Sequence, residues 1–102
     1  MSKKIKVVIK RPGSKPYVTN ISSTLKNLQN TVGGYVEMVK FATDGVIICN
    51  EEGRATELPY NCSIAGRDFF GTVIFVGVKR DGLDDIPIDF QGFKKMFRDL
   101  FE

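Results

Sequence analysis

A group of polar residues in the middle of the chain has the side-chain types that could bind a ligand. Two nearby stretches contain them, ICNEEGRATELPYN and AGRD. Arginine pairs with phosphate or carboxylate through parallel hydrogen bonds, and a tyrosine ring can stack on a nucleotide base. The group therefore predicts a loop site for an anionic small molecule such as a nucleotide. Its candidate ligand-binding residues are Asn50, Glu51, Arg54, Tyr60, Asn61 and Arg67.

The same residues also have a purely structural interpretation. Asn50 and Asn61 could close turns through their side chains, and the charged groups could simply face solvent. Glu51 and Glu52, with Glu57, could in principle form a carboxylate-only metal site, but Glu51-Glu52-Gly53 is first of all typical of a solvated turn. We predict no metal ion and no other cofactor.

Residue types exclude several classes of catalysis. The chain has no histidine, which removes Ser-His-Asp and Cys-His mechanisms and histidine metal sites. It contains no P-loop pattern and no GxGxxG pattern after a strand. Nothing in the sequence places two carboxylates in a cleft, as a glycosidase requires. We therefore predict that the protein is not an enzyme.

The two cysteines, Cys49 and Cys62, match no zinc or redox spacing. Cys49 ends an apolar run and is expected to be buried, whereas Cys62 lies in a polar stretch and is expected to be partly exposed. No disulfide is expected in a reducing cytosol. The sequence has no apolar run of roughly 20 residues and no export signal, so we expect a cytoplasmic protein without membrane association.

Basic residues are concentrated at the start of the chain. The formal net charge is +3, but the segment before Glu37 has seven bases and no acid, and the remainder sums to −4. This asymmetry predicts either a basic face for phosphates, with nucleic acid as a less favoured partner, or lysines that keep an edge strand from pairing. The early bases are Lys3, Lys4, Lys6, Lys10, Arg11, Lys15 and Lys26.

Apolar runs separated by turn residues predict several strands. Asp44-Gly45, Glu52-Gly53 and Asp81-Gly82 are the turn signals between them, with Gly53 expected at positive φ. No regular element is predicted for 60–70. The predicted strands are Ile5–Ile9, Tyr17–Ile21, Tyr35–Ala42, Val46–Cys49, Arg54–Leu58 and Gly71–Val78.

A short helix is predicted over Thr24–Val32, with Ser22 or Ser23 as its N-cap. Gly33-Gly34 should end this helix, and at least one of Gly33, Gly34 and Gly53 should have positive φ.

A second, amphipathic helix is predicted over Phe90–Phe101, after an N-cap at Asp89. Phenylalanines fall on one side of it, and they form either part of the core or a surface for a protein partner or a second copy of the chain. Lys94, Lys95 and Arg98 fall on the side that faces water.

The order of these elements favours a single α+β domain over residues 1–102. We expect an antiparallel or mixed sheet, with the short central helix and the C-terminal amphipathic helix packed on it.

Several short motifs resemble a bacterial family known only as a domain of unknown function, whose members occur in bacteriophages and mobile elements. The resemblance covers roughly Ile5–Val78 and implies no catalytic residues. It implies a phage or mobile-element accessory protein, a class that often counters host defence. The motifs are Leu28-Gln29, Val32–Tyr35 with Glu37, Asn50–Gly53, Leu58–Asn61 and Gly71–Gly77.

Together, the residues and the resemblance lead to one functional expectation and two alternatives. We expect a non-enzymatic binding protein that sequesters an anionic small molecule, such as a signalling nucleotide, in counter-defence. The alternatives are an inhibitor that binds a host protein and an accessory protein that binds nucleic acid without sequence preference.

Overall fold

The computed structural model describes residues 4–102, so Lys3, one of the early bases, lies outside the described residues. The fold is α+β, as predicted. Its elements in chain order are β1 (Lys4–Lys10), β2 (Tyr17–Ser22), α1 (Leu25–Val32), β3 (Val36–Ala42), β4 (Gly45–Asn50), β5 (Tyr60–Ile64), β6 (Arg67–Phe70), β7 (Val73–Lys79), β8 (Gly82–Asp84), α2 (Phe90–Met96) and a short 3-10 helix (Arg98–Phe101).

The main sheet is antiparallel throughout, with strands in the order β2-β1-β7-β4-β3. The short strand β8 pairs with the end of β7, beyond the part that pairs with β1. Strands β5 and β6 form a separate hairpin. The most apolar predicted runs, Val46–Cys49 and Gly71–Val78, supply β4 and β7, which both pair on two sides.

Side chains that alternate along the strands build a separate core on each face of the sheet. Val7 and Ile9 of β1 pack with Leu28 and Val32 of α1, whereas Val8, between them, packs on the other face. That second face is covered by α2, the 3-10 helix and the β5–β6 hairpin. Its buried members are Val8, Ile47, Cys49, Cys62, Phe69, Val73, Phe75, Ile86, Phe93 and Leu100.

The predicted strand over Arg54–Leu58 is wrong. Residues 51–57 form a compact turn, with hydrogen bonds from Thr56 N to Glu52 O and from Leu58 N to Gly53 O. Glu57 takes a positive φ of 57° in this turn. These local backbone hydrogen bonds take the place of the hydrogen bonds to a neighbouring strand that a β-strand would need.

The segment 60–70, for which no element was predicted, is the β5–β6 hairpin. Its two-residue connection, Ala65-Gly66, has φ values of 52° and 81°. Two positive φ values are the requirement of a type I′ turn, which matches the twist of the flanking strands. Alanine at the first of these positions is unusual, so the sequence signal for this hairpin was weak.

The ends of the helices differ in part from the prediction. Thr24, and not Ser22 or Ser23, is the N-cap of α1, because its side chain accepts a hydrogen bond from Asn27 N. Asp89 caps α2 as predicted. The predicted helix over Phe90–Phe101 ends at Met96, and Phe97 with φ −120° and ψ 47° connects it to the 3-10 helix.

Strand β1 is interior and not an edge strand, since it lies between β2 and β7. Its lysines therefore do not protect an edge from pairing. Lys4 and Lys6 are exposed, but Lys10 is only 6% exposed. The two ends of the strand order are β2 and β3, and the short β8 pairs with β7 alone.

Candidate functional site

The six residues of the predicted loop site line two different cavities. Asn50, Glu51, Arg54 and Arg67 line one cavity of about 370 Å³, between the turn at 51–57 and strand β6; we call it the loop cavity. Tyr60 and Asn61 line another cavity of about 550 Å³, together with Lys10 at the end of β1. The structure therefore brings together four of the six residues and separates the other two.

Both arginines of the loop cavity already have acidic partners. Arg67 pairs with Glu37 at 2.7 Å, and Arg54 pairs with Asp68 at 3.4 Å. Each guanidinium also lies over a phenylalanine ring, Arg54 over Phe70 at 5.0 Å and Arg67 over Phe69 at 5.5 Å. Since Glu51 and Asp68 also line the cavity, its cationic charge is balanced, and it offers an anion little net attraction.

Asn50 closes local structure, as its alternative interpretation predicted. Its side-chain amide donates to Val32 O at the end of α1, at 3.2 Å, and its oxygen accepts from Glu52 N at 2.8 Å. Asn50 therefore joins the end of the helix to the turn that follows β4. With both ends of its amide used, it has little left for a ligand.

The motif glycines next to Asn50 are explained by backbone geometry. Gly33 ends α1 with φ 84°, so the prediction of a positive φ among the three glycines is confirmed. Gly53 does not have the positive φ predicted for it. A Cβ at Gly53 would instead lie 2.7 Å from Phe70 O, so this glycine permits close approach of the β6 backbone.

Asn61 is buried, and its side chain joins three segments of the fold through hydrogen bonds. Its amide nitrogen donates to Lys10 O and to Gly71 O, both at 2.8 Å, and its oxygen accepts from Lys10 Nζ at 2.8 Å. These bonds hold β5 against the end of β1 and the start of β7. Tyr60, by contrast, is 53% exposed and meets Phe70 edge-to-face.

Both cysteines are buried, so the expected partial exposure of Cys62 is wrong. Burial raises the pKa of the Cys62 thiol, while the charge of Lys10 acts in the opposite direction. Burial also raises the pKa of Cys49, with a further increase from the nearby Glu37 carboxylate. Both thiols therefore stay protonated at neutral pH, which disfavours a nucleophilic role.

A shallow basic groove runs between α2 and the β1–β2 connection. It has a volume of about 540 Å³, and no acidic residue lines it. We call this surface the basic groove. Its charged members are Lys15, Lys94, Lys95 and Arg98, and its other members are Pro16, Phe90, Gln91 and Phe101.

Aromatic rings form the apolar part of the basic groove. Phe90 and Phe101 meet edge-to-face at 5.8 Å, and Lys94 Nζ lies 5.1 Å from the Phe90 ring and 5.8 Å from the Phe101 ring. Within residues 4–102, no carboxylate lies at ion-pair distance from Lys94, Lys95 or Arg98. The groove therefore combines unneutralised positive charge with ring surface.

None of the groove residues belonged to the predicted site. The sequence placed Lys94, Lys95 and Arg98 on the solvent side of the last helix, which is confirmed by their exposure. Their convergence with Lys15 depends on how α2 docks near the β1–β2 connection. The signals available in the sequence were the run KKMFR, which has bases and no acid, and the basic early segment that contains Lys15.

Other kinds of site find no support in the part of the chain that the structure describes. Within residues 4–102, no three His, Cys, Asp or Glu side chains are grouped so that they could hold a metal ion. Both helices in that range are too short and too polar to cross a membrane.

Comparisons with known proteins identify a family but no described relative. Neither the curated proteins nor the solved structures contain a match to this chain. A family model described as a domain of unknown function, DUF3846, matches residues 5–99. Because the match covers nearly the whole chain, this protein belongs to the DUF3846 family.

Proposed function

We propose that this protein binds and sequesters an anionic small molecule in the basic groove without catalysing its conversion. The observation that carries the proposal is the convergence of Lys15, Lys94, Lys95 and Arg98 on one groove that no acidic residue lines. The loop cavity is the less favourable place, since its two arginines are paired with Asp68 and Glu37.

A nucleotide fits this groove better than a simple inorganic ion. Its phosphates would meet the lysines and Arg98, while its base would contact the rings of Phe90 and Phe101. The groove volume of about 540 Å³ is in the range of small-molecule sites. Capture of a signalling nucleotide would also suit the counter-defence role of a phage or mobile-element protein.

The setting that we propose for this binding is the cytoplasm of the cell in which the protein acts. The two free, buried thiols support a reducing compartment.

The first test is calorimetry or thermal unfolding with a panel of cyclic mononucleotides, cyclic dinucleotides and linear nucleotides. A ligand present at about 100 times its Kd should raise the free energy of unfolding by about 2.7 kcal/mol. If the folded protein shows neither heat of binding nor stabilisation with any member of the panel, nucleotide capture is wrong.

A matched pair of charge reversals tests the position of the site. Lys95→Glu with Arg98→Glu should weaken binding by about tenfold or more, because two attractive charges become repulsive. The control, Lys26→Glu with Arg80→Glu, makes the same change in net charge at exposed residues that do not line the groove. An equal loss of binding in both variants would mean that net charge, and not the basic groove, determines the affinity.

Binding of single-stranded nucleic acid is a second candidate function, and the same groove supports it. Exposed bases near aromatic rings are typical of surfaces that bind single strands without sequence preference. A fluorescent oligonucleotide should then bind with strong salt dependence and lose affinity in the Lys95→Glu/Arg98→Glu variant. An oligonucleotide that binds while mononucleotides and dinucleotides do not would favour this function.

A further inference from the structure

Lys10 occupies a place in the sheet where the pattern calls for an apolar residue. It ends β1, and alternation puts it on the same face as Val8, which belongs to the core under α2. Its side chain is only 6% exposed. Lysine is almost never so deeply buried unless a partner compensates its charge.

The contacts of Lys10 do not neutralise it. Its Nζ donates to Asn61 Oδ1 at 2.8 Å, and Asn61 is a neutral acceptor. No carboxylate within residues 4–102 forms an ion pair with Lys10. An ammonium group has three protons to donate, so this one described bond leaves capacity for a further acceptor.

Asn61 holds the ammonium group in a fixed position. Both hydrogens of the Asn61 amide are used by Lys10 O and Gly71 O, at 2.8 Å each. The amide therefore cannot rotate without breaking these bonds, and its oxygen must face Lys10 Nζ. This preorganisation resembles that of a binding site, in which a polar group is held in place before the ligand arrives.

Lys10 and Asn61 form one wall of a cavity of about 550 Å³, which we call the lysine cavity. Ser14, Ser63 and Tyr60 add hydroxyl groups that could bind ligand oxygens. Lys15 contributes a second positive charge, while Asp99 and Glu102 contribute two negative charges. The two positive and two negative formal charges of the lining thus balance. The buried charge among them, that of Lys10, is positive.

We propose that the lysine cavity binds a small molecule through a carboxylate group, with Lys10 as its buried counter-charge. A carboxylate would supply the acceptor that Lys10 lacks, and charge-assisted bonds of this kind are among the stronger ones. Asp99 and Glu102 would repel a multiply charged phosphate, so a monoanion or an amino acid fits the lining better. The lysine cavity shares Lys15 with the basic groove, but neither Lys10 nor Asn61 lines the groove. The proposal does not rest on the function proposed for the groove.

Nuclear magnetic resonance provides a direct reporter, because the side-chain amide of Asn61 gives its own signals. The probes are acetate, glycine, glutamate and inorganic phosphate, each added to the full chain at about 50 mM, since ligands this small bind weakly. The proposal expects at least one carboxylate probe to shift the Asn61 side-chain signals in a saturable way. Saturation by phosphate alone, or by no probe, would overturn it.

Variants then test the role of Lys10. Lys10→Met keeps an unbranched side chain that is one atom shorter and removes its charge, and it should weaken carboxylate binding at least tenfold. Because this variant could also disturb folding, Ser63→Trp provides a second test from an exposed position on the cavity wall, where the larger ring should block entry. Undiminished binding in a folded Lys10→Met protein would exclude the proposed counter-charge.

Two further comparisons test the kind of ligand that the lysine cavity binds and its independence from the basic groove. Stronger binding of glycine than of acetate would mean that Asp99 or Glu102 contacts the amine, which supports an amino-acid ligand. The Lys95→Glu/Arg98→Glu variant should retain carboxylate binding, because neither residue lines the lysine cavity. A greater loss of carboxylate binding in that variant than in the Lys26→Glu/Arg80→Glu control would count against a separate site.

Discussion

At the residue scale, Asn61 shows how a candidate ligand residue becomes part of the fold. Its amide bonds to two backbone carbonyls and one buried ammonium group, so its removal would take a hydrogen-bond partner from three polar groups. We expect Asn61→Ala to lower the free energy of unfolding by roughly 3 kcal/mol or more, since each unsatisfied buried group costs about 1–3 kcal/mol. Chemical denaturation measures this loss, and a cost below about 1 kcal/mol would contradict the assigned bonds.

The motif glycines have two different physical roles that substitution can distinguish. Gly33 lies at φ 84°, so Gly33→Ala should cost about 1 kcal/mol and Gly33→Asn should cost less, because asparagine tolerates this conformation. Gly53→Ala should also destabilise the protein, but through contact with Phe70 O. Gly53→Asn should therefore destabilise the protein at least as much as Gly53→Ala.

Denaturation of these variants should be compared with Ala55→Gly in the same exposed turn, which is expected to be near neutral. If asparagine rescued position 53 as well as position 33, backbone conformation rather than close approach would explain Gly53.

The buried thiols lead to a prediction about pH. Because burial raises the pKa of both thiols above the value they have in the unfolded chain, the unfolded chain ionises first as pH rises. The stability that this difference provides is fully present below about pH 8.5, the ordinary thiol pKa, and is lost as pH rises through the folded-state values. The loss should be smaller in a variant with Cys49→Ala and Cys62→Ala. An equal loss in that variant would assign the pH dependence to other groups.

At the element scale, the C-terminal segment acts as the cover of one face of the sheet. Phe97, between α2 and the 3-10 helix, lies 4.8 Å from Phe93, 5.1 Å from Phe75 and 5.6 Å from Phe41, as measured between ring centroids. Phe93 and Phe97 therefore pack inward, and Phe90 and Phe101 pack partly against the same core while also lining the basic groove. This packing weakens the main reason for expecting an inhibitor of a host protein. That role stays a prediction.

Phe97→Asp should reduce stability by about 3–5 kcal/mol, because it removes a large ring and places a carboxylate against the core. Met96→Asp is a suitable control, since Met96 is exposed at the neighbouring position. Thermal or denaturant unfolding of both variants measures the difference. A folded Phe97→Asp protein that loses a partner from a host lysate would instead support an interaction surface.

At the scale of the whole molecule, charge is arranged by tertiary contacts and not by sequence segment. The basic early segment does not form one face, because Lys10 is buried, Lys26 lies on α1 and Lys15 joins the basic groove. The groove completes its charge with Lys94, Lys95 and Arg98, from the other end of the chain. Its positive field should therefore depend on the folded state.

This arrangement predicts that ligand binding weakens as salt is added. Raising ionic strength from about 0.01 M to about 0.15 M shortens the Debye length from about 30 Å to about 8 Å, so attraction to an anionic ligand should fall several-fold. Calorimetry across this range measures the salt slope, which should be smaller in the Lys95→Glu/Arg98→Glu variant. A Kd that does not change with salt would contradict a site built on exposed charge.

The local features of this protein follow from its amino-acid sequence. The apolar runs of β4 and β7, the N-cap Asp89 and the left-handed helix end at Gly33 were all predictable, because each depends on neighbouring residues and short-range sterics. The α+β class followed from the order of these elements. The exclusion of histidine chemistry needed only the composition.

Which polar residues are available to a ligand depends on long-range contacts that exist only in the folded chain. Arg67 is engaged by Glu37, and Asn61 by Lys10, through contacts that span 30 and 51 residues of chain. The β5–β6 hairpin likewise depends on packing, because its Ala-Gly turn has a weak turn propensity. The apolar side chains of its two strands gain stability mainly by packing on the main sheet. Long-range pairs of this kind leave no periodic signal in the sequence, which is why the loop site was predicted and the basic groove was missed.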